Sequence, residues 1–231
     1  MKKIILCLFL FTINGFSQNF NYRNYSLFLS KYVSNTGNVN YDKIKANKPK
    51  LDAIIAQFDK IQPTDKWLKN EKMAYYINAY NIYTIKVIID NYPTKNIKDI
   101  NGAWSKKIVT SGKSMISLKD VENKILRKMD DPRIHFAINC ASYSCPNLAN
   151  IAYVPATLEK QLEKATKSFI NDKSKNAITE NEINISKIFD WFEKDFKTSG
   201  TLIDFLNKYS KVKIDPKAKV KFLEYDWALN K

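Results

Sequence analysis

Apolar and polar residues follow a helical period along most of the chain. Apolar positions recur every three to four residues in the segments 20–34, 41–61, 64–91, 117–129, 155–171, 187–197 and 201–209. Pro49 interrupts the second segment, because a proline ring breaks a helix interior. Thr64 is placed to cap the long third helix, which Pro93 ends, and Ser117 has the capping-box spacing to Asp120. The pattern predicts a chain built mainly from helices.

Short strands are predicted between the helices. Apolar runs bounded by turn residues predict hairpins or single strands at 104–116, 133–140 and 176–186, and the segment 220–230 is predicted to be a strand or an ordered tail. The strongest strand pattern is at 133–140. No internal repeat and no linker rich in Pro, Gly or Ser divides the chain after residue 18. We therefore predict one α+β domain over 19–231, mainly helical around a small sheet, with a helical N-terminal extension to about residue 62.

The first eighteen residues have the pattern of a secretory signal peptide. Lys2 and Lys3 precede an apolar run at 4–13, and small or polar residues lead to a cleavage position near Gln18. The run is shorter than the roughly 20 residues that span a bilayer. Cleavage removes Cys7, and no later stretch is long and apolar enough to span a membrane. The sequence predicts a soluble mature protein in the periplasm or outside the cell.

Charge and composition limit the chemistry further. The net charge of +15 comes from 38 Lys and Arg against 23 Asp and Glu, but only three of the basic residues are arginines. Scattered lysines are typical of a solvated surface, whereas phosphate recognition favours clustered guanidinium groups, so the pattern argues against nucleic-acid binding. A single histidine excludes metal sites that need two or three imidazoles. We predict no metal and no cofactor, and imidazole chemistry must use His135.

Two asparagines lie on the predicted buried face of the long helix. At 100° per residue, Asn78 and Asn81 share one stripe with apolar residues of the segment 74–89. A buried amide needs partners for its donors and its acceptor, because leaving them unpaired costs a few kcal/mol. Two interpretations follow: the amides brace the backbone of a neighbouring loop, or they line a pocket.

The segment 133–140 supplies the candidate catalytic groups. In a strand, His135 and Asn139 face one way and Cys140 faces the other, which disfavours a direct dyad of His135 with Cys140. Cys145 follows a turn and can fold back toward the imidazole. We predict His135 as a base and either cysteine as a nucleophile. The orienting group is predicted to be Asn78, Asn81 or Asn139.

The two cysteines also have a structural interpretation. Cys140 and Cys145 are the only cysteines left after cleavage of the leader, and an exported protein meets an oxidising compartment. A four-residue loop can close a disulfide if the turn brings the Cα atoms within about 7 Å. The sequence leaves a local disulfide and two free thiols equally open.

Several blocks of the sequence resemble the DUF547 domain, an uncharacterised family found in bacteria and plants. The blocks are YYINAYNIYTIKVI at 75–88, YPTKNIKDI at 92–100, SLKDVENKILR at 117–127, DPRIHFAINCASYSCPNL at 131–148, IFDWFEKDF at 188–196 and EYDWALN at 224–230. They follow in order and cover most of the chain from about residue 40 onward. The resemblance implies no established reaction, so function must be argued from the residues.

Two hypotheses of function remain. The first is a thiol- or hydroxyl-dependent hydrolase or transferase that acts on peptide, amide or cell-envelope substrates. Its motivation is a central helix followed by a His-bearing strand, an order that resembles papain and transglutaminases. Those enzymes carry the nucleophilic cysteine at the start of the central helix, where this chain has none. The second hypothesis is a non-catalytic binding or scaffold module, with a disulfide as a staple and a small molecule or peptide as its ligand.

Overall fold

The structure is a computed structural model that describes residues 20–231. The predicted signal peptide and Cys7 lie outside the described residues. The α-helices of this part are α1 Tyr22–Tyr32, α2 Tyr41–Ala46, α3 Lys48–Lys60, α4 Lys69–Asp90, α5 Leu118–Asp120, α6 Leu158–Ile170, α7 Ile188–Trp191, α8 Glu193–Phe196 and α9 Leu202–Asn207. Short 3₁₀ segments cover Ile97–Asp99, Arg127–Met129, Pro132–Phe136 and Pro155–Thr157. A π-helical segment, Val121–Leu126, continues α5.

The strands form two small sheets. Strands β1 Lys107–Ser111 and β2 Ser114–Ser117 pair as the antiparallel hairpin predicted around Gly112. The second sheet has the order β3-β4-β5 and contains Ala177–Ile178, Glu182–Ile185 and Lys219–Phe222. Its first pair is antiparallel and its second pair is parallel. The prediction of a mainly helical α+β fold with a small amount of sheet is confirmed.

The long helix α4 is the centre of the fold. Every residue from Met73 to Ile89 except Lys86 is buried, because helices α2, α3 and α5, the π-helical segment and strand β1 pack around it. It begins later than predicted from Thr64, because the Glu71 carboxylate accepts a hydrogen bond from the Leu68 backbone N–H and caps the helix there. No helix within residues 20–231 has the length and apolar run needed to cross a membrane.

Helices α2 and α3 confirm the interruption predicted at Pro49. The proline lies in the first turn of α3, where its missing N–H has no intrahelical partner to lose. The predicted capping box is also present, since the Asp120 N–H donates to the Ser117 hydroxyl at 3.1 Å and the Ser117 N–H donates to the Asp120 carboxylate at 3.0 Å.

The strand predicted at 133–140 is wrong. Pro132–Phe136 is a 3₁₀ helix that Asp131 caps, and residues 137–140 have no regular structure. A strand would need a ladder partner, whereas here Asn81 of α4 takes the backbone hydrogen bonds of Ala137 and Asn139. A short apolar run does not distinguish these two conformations by its period alone.

The 3₁₀ segment lies between two apolar cores. Ile134 packs into the first core, which α1 to α4 and the β1-β2 hairpin build. Phe136 packs into the second, which α6 to α9 and the three-stranded sheet build. His135, between these two anchors, is therefore held where the cores meet.

The C-terminal tail closes this junction. After β5 the chain runs back along the loop that contains both cysteines, and Tyr143 N–H donates to Ala228 O at 2.7 Å. Ser144 N–H donates to Asp226 O at 3.1 Å, and the Ser144 hydroxyl accepts from Asp226 N–H at 2.9 Å. The tail thereby fixes the cysteine loop from outside.

Candidate active site

A cavity of about 290 Å³ opens at the junction of the two cores. Its wall contains three of the predicted catalytic residues, His135, Cys140 and Cys145. The remaining lining residues are Tyr80, Trp104, Lys119, Glu122, Ile138, Ile188, Trp191, Phe192, Tyr225 and Trp227. The strand alternation placed His135 and Cys140 on opposite faces; that expectation is wrong, because the irregular backbone at 137–140 turns both toward one cavity.

His135 is oriented by a carboxylate. Its Nε2 lies 2.8 Å from Asp195 Oδ2, and its side chain is only 1% exposed. A carboxylate only accepts hydrogen bonds, so the neutral ring carries its proton on Nε2 and leaves Nδ1 as an acceptor. Nδ1 is buried and has no hydrogen-bond partner among residues 20–231. The ring stacks on Phe192 with the centroids 4.0 Å apart.

An arginine holds the carboxylate in turn. Arg127 donates to both oxygens of Asp195, from Nε at 2.6 Å and from Nη2 at 2.8 Å. Its guanidinium carbon also lies 5.3 Å from the centroid of the Phe192 ring. Asp195 is therefore fixed from two sides, and a bidentate contact of this kind sets its plane as well as its position.

Burial decides the protonation state of the imidazole. Burial lowers the pKa of His135 below its ordinary value, and the hydrogen bond and charge of Asp195 offset only part of this effect. Burial by itself raises the pKa of Asp195, but hydrogen bonds from His135 and Arg127 outweigh it and bring that pKa well below the usual range. At neutral pH the pair is a neutral imidazole beside an ionised carboxylate.

The cysteine loop presents two free thiols at the cavity wall. The Sγ atoms of Cys140 and Cys145 are 2.8 Å apart, and Cys140 N–H donates to Cys145 Sγ at 2.9 Å. Cys140 Sγ also lies 3.0 Å from the Ser142 hydroxyl and 3.2 Å from the Tyr225 hydroxyl. Cys140 is partly exposed toward the cavity, whereas Cys145 is buried.

These contacts separate the acidities of the two thiols. Burial raises the pKa of Cys140, but hydrogen bonds with Cys145, Ser142 and Tyr225 outweigh it and lower the pKa to about 7. Burial and the neighbouring Cys140 thiolate raise the pKa of Cys145 well above its ordinary value. Cys140 is therefore the thiol of the pair that ionises more readily near neutral pH, and the thiolate is the nucleophilic form of cysteine.

The predicted orienting asparagines brace the backbone instead. Asn78 donates to Tyr153 O at 2.7 Å and accepts from Tyr153 N–H at 2.9 Å. Asn81 donates to Ala137 O at 2.9 Å and accepts from Asn139 N–H at 2.8 Å. Neither amide lines the cavity, so the first of the two interpretations, bracing, is the one observed.

Asn139 has a similar structural position. Its Nδ2 donates to Pro146 O at 2.8 Å, and its Oδ1 accepts from Ala141 N–H at 2.8 Å. These bonds span the turn between the cysteines, in which Ala141 has a left-handed backbone with φ of 59°. Asn139 therefore holds the shape of the cysteine loop, and within residues 20–231 it makes no hydrogen bond to His135.

An aromatic wall covers the other side of the cavity. Trp191 and Trp227 stack with centroids 5.7 Å apart, and Tyr225 lies 4.8 Å from Trp191 and 4.6 Å from Trp227. Trp104 packs edge-on against Trp227. Trp191 is 45% exposed, so the wall is open to solvent at its rim. We call these four residues the aromatic wall.

Comparison with protein families finds a match for part of this chain. Residues 64–170 match the family described as "Protein of unknown function, DUF547". This match confirms the predicted resemblance to the DUF547 domain over those residues. No curated protein and no solved structure matches it.

The matched DUF547 segment contains only part of the cavity. It includes Glu122, His135 and both cysteines, whereas Asp195 and three residues of the aromatic wall come from the sequence that follows it. The site is therefore completed by chain segments beyond the matched residues. The likeness to papain loses the feature that suggested it, since the His-bearing segment is a 3₁₀ helix and not a strand.

Sequence reasoning missed Asp195 and Glu122. Asp195 lies sixty residues after His135, so no local spacing connects them. Glu122 belongs to the π-helical segment, a local widening that often accompanies functional sites. Burial, followed by the charge of Cys140, raises the pKa of Glu122 to about 7, although Arg127 opposes this. The only available signal for Asp195 was its place in the family-like block IFDWFEKDF.

Proposed function

We propose that this cavity is the active site of a thiol-dependent hydrolase or transferase. The observation that carries the proposal is one cavity wall shared by two activated groups. Cys140 has a pKa of about 7, and His135 has its Nε2 fixed by Asp195 and its Nδ1 without a partner. Perturbed acids and bases that converge on a cavity mark a functional site.

The chemistry assigns one step to each group. The Cys140 sulfur attacks a carbonyl carbon, and its proton passes to Nδ1 of His135. The carbon–nitrogen or carbon–oxygen bond of the substrate breaks, and the leaving group takes the proton from the imidazole. Water, or an acceptor hydroxyl or amine, then attacks the thioester with His135 as base and restores the thiol. Asp195 orients the ring, a role that was predicted for an asparagine.

Glu122 is placed to assist the leaving group. Because its pKa is about 7, Glu122 is protonated in a large fraction of the molecules at neutral pH. It lies on the same cavity wall as Cys140. A protonated carboxyl in an apolar cavity can donate a hydrogen bond to the oxygen or nitrogen of the leaving group, while the transferred proton comes from the imidazole. Lys119 also belongs to the lining and is exposed to solvent.

The cavity favours an apolar or aromatic acyl group. Six of its thirteen lining residues are tyrosine, tryptophan or phenylalanine, and its volume of about 290 Å³ is at the small end for ligand sites. Peptide, amide and cell-envelope substrates all provide such acyl groups. Action outside the cytoplasm depends on the predicted leader at 1–18.

One observation favours the second hypothesis, a binding module. His135 makes no hydrogen bond to either thiol within residues 20–231, because its Nε2 is occupied by Asp195 and its Nδ1 has no partner. In that interpretation the aromatic wall holds a small molecule or peptide and the thiols are not used.

Acylation by p-nitrophenyl acetate separates the two functions. The proposal predicts a burst of one equivalent of nitrophenolate and an acetyl group on Cys140, mapped by mass spectrometry. His135→Ala should slow the burst roughly 100-fold or more, as expected for loss of a general base. Asp195→Asn should slow it less, and the exposed Asp190→Asn is a matched control that should not slow it.

Three results would overturn the proposal. They are no acetyl group on Cys140, a burst that Cys140→Ser retains, or a His135→Ala protein that loses stability while it acylates at the normal rate. Thermal unfolding of every variant is measured alongside, so that a misfolded variant is not counted.

A further inference from the structure

Two thiols lie side by side at the cavity wall, and Cys140 is the more exposed of the two. Cys140 Sγ and Cys145 Sγ are 2.8 Å apart, Cys140 is partly exposed, and Cys145 is buried behind it. We propose that Cys140 is a site of reversible oxidation by hydroperoxides, with Cys145 as its resolving cysteine. The oxidation does not depend on acyl transfer, whereas its effect on turnover rests on the proposed function.

The cavity gives a small oxidant access to Cys140. Its volume of about 290 Å³ far exceeds that of hydrogen peroxide, and Cys140 forms part of its wall. Two hydroxyl groups, Ser142 Oγ and Tyr225 Oη, lie 3.0 Å apart and both are within 3.2 Å of Cys140 Sγ. Both hydroxyl groups can donate a hydrogen bond to a peroxide oxygen that approaches this sulfur. A low-pKa, accessible thiol beside a second cysteine is the arrangement of redox-sensing cysteines.

The reaction balances in two steps. The Cys140 thiolate attacks one oxygen of a hydroperoxide, the O–O bond breaks, and the leaving oxygen takes a proton and departs as an alcohol or water. This oxidises Cys140 to a sulfenic acid and reduces the peroxide by two electrons. The Cys145 thiol then attacks the sulfenic sulfur, an S–S bond forms, and the hydroxyl group leaves with the thiol proton as water. A dithiol reductant then reduces the disulfide back to two thiols.

The geometry of the loop favours disulfide formation with Cys145 over further oxidation of Cys140. The sulfurs need to approach by less than about 1 Å to reach the disulfide bonding distance of about 2.05 Å. Cys145 Sγ is already held by the Cys140 N–H at 2.9 Å, and Asn139 pins both ends of the turn. The disulfide would block the sulfur of the proposed nucleophile, Cys140. Peroxide would therefore stop the acylation of Cys140, and a reductant would restore it.

Thiol mapping on the reduced, folded protein tests the proposal. With stoichiometric hydrogen peroxide, the wild type should lose both thiols together, form an intramolecular disulfide and recover two thiols with dithiothreitol. In Cys145→Ser, dimedone should label Cys140 as a sulfenic acid. In Cys140→Ser, Cys145 should stay reduced at the same peroxide dose, at least 10-fold less oxidised than Cys140 in the wild type.

Other outcomes contradict it. Retention of both thiols, irreversible oxidation of Cys140 without a disulfide, or equal oxidation of Cys145 in Cys140→Ser would each exclude a resolving pair. A disulfide that resists dithiothreitol in the folded protein would indicate a permanent staple. Because the readout is thiol chemistry, oxidation without acylation of the reduced protein rejects the proposed function alone, and acylation without disulfide formation rejects the switch alone.

Discussion

The buried amides of α4 and the polar groups of the cavity differ in whether their polar atoms have hydrogen-bond partners. Asn78 and Asn81 are as buried as His135, yet each amide both donates to and accepts from the backbone of a neighbouring loop. In the cavity, His135 Nδ1 has no partner among the described residues, and the pKa values of Cys140 and Glu122 have both moved to about 7. Paired polar groups stabilise a fold, and unpaired or shifted ones are available for chemistry.

The two regions are joined through one loop. Asn81 binds Ala137 O and Asn139 N–H, which lie in the chain between His135 and Cys140. The hydrogen bonds of Asn81 thus position the backbone that carries the reactive groups. This division predicts that substitutions in α4 change stability most, whereas substitutions in the cavity change reactivity or pH dependence.

The largest effect on stability is expected from Asn81→Ala. It leaves a buried carbonyl and a buried N–H without partners, which costs about 1 to 3 kcal/mol for each group, so a loss of about 3 kcal/mol is expected. Urea unfolding measures it. The exposed Asn70 on the same helix is the matched control, and Asn70→Ala should change the free energy of unfolding by less than about 0.5 kcal/mol. Equal losses for the two variants would remove the contrast between the regions.

Glu122→Gln should stabilise the protein at high pH. The pKa of Glu122 is raised to about 7, so its ionised form destabilises the folded state once the pH exceeds the unfolded value of about 4.3. The full shift corresponds to about 3 to 4 kcal/mol, which solvent around a partly buried group reduces to about 1 to 2 kcal/mol. The gain should be present near pH 8 and absent below about pH 4, in unfolding curves at both values. A glutamine that destabilises at pH 8 would contradict the burial of this carboxylate.

The Glu122→Gln variant removes the titration of Glu122, so that the pH dependence of its stability reports on His135. Because the folded pKa of His135 lies below its ordinary value, the unfolded state binds its proton first as the pH falls. Stability should therefore decline from about pH 6.5 downward, and His135→Asn should remove this decline. An unchanged slope in His135→Asn would show that the imidazole is not buried in its neutral form.

Ala141→Gly should have the smallest effect and the opposite sign to an ordinary helix or core change. Ala141 has φ of 59°, which costs an alanine about 1 to 2 kcal/mol, while glycine adds unfolded-state entropy of under about 1 kcal/mol. Stability should rise by up to about 1 kcal/mol. Ala152, equally buried, has no positive φ, and Ala152→Gly should lower stability by about 1 kcal/mol. Melting temperatures that move in the same direction for both variants would argue against strain in the cysteine loop.

Local signals in the sequence predicted most of the fold. The Ser117 capping box, the break at Pro49 and the hairpin around Gly112 depend on neighbouring residues, and all three are present. The stripe predicted on α4 is buried, but so is almost every other position from Met73 to Ile89, because neighbouring elements cover the helix on all sides. The segment 133–140 failed because its backbone partner, Asn81, lies more than fifty residues away.

The candidate site was predictable only in part. His135 and the cysteines stand out because they are rare residue types, and the structure brings all three to one cavity. Asp195, Glu122 and the aromatic wall belong to common residue types, and tertiary packing alone assembles them. Sequence periodicity also carries no information on a free imidazole nitrogen or on hydrogen bonds to a thiol, which decide the chemistry.

The central claim is that Cys140 is an activated thiol and Cys145 is not. Site-resolved alkylation of the reduced wild-type protein by iodoacetamide, followed across pH by mass spectrometry, tests it most directly. We predict that Cys140 reacts with a midpoint near pH 7, and that Cys145 stays unmodified to above pH 9 while the protein is folded. Two unreactive thiols at pH 8, or a Cys145 that reacts first, would contradict the account.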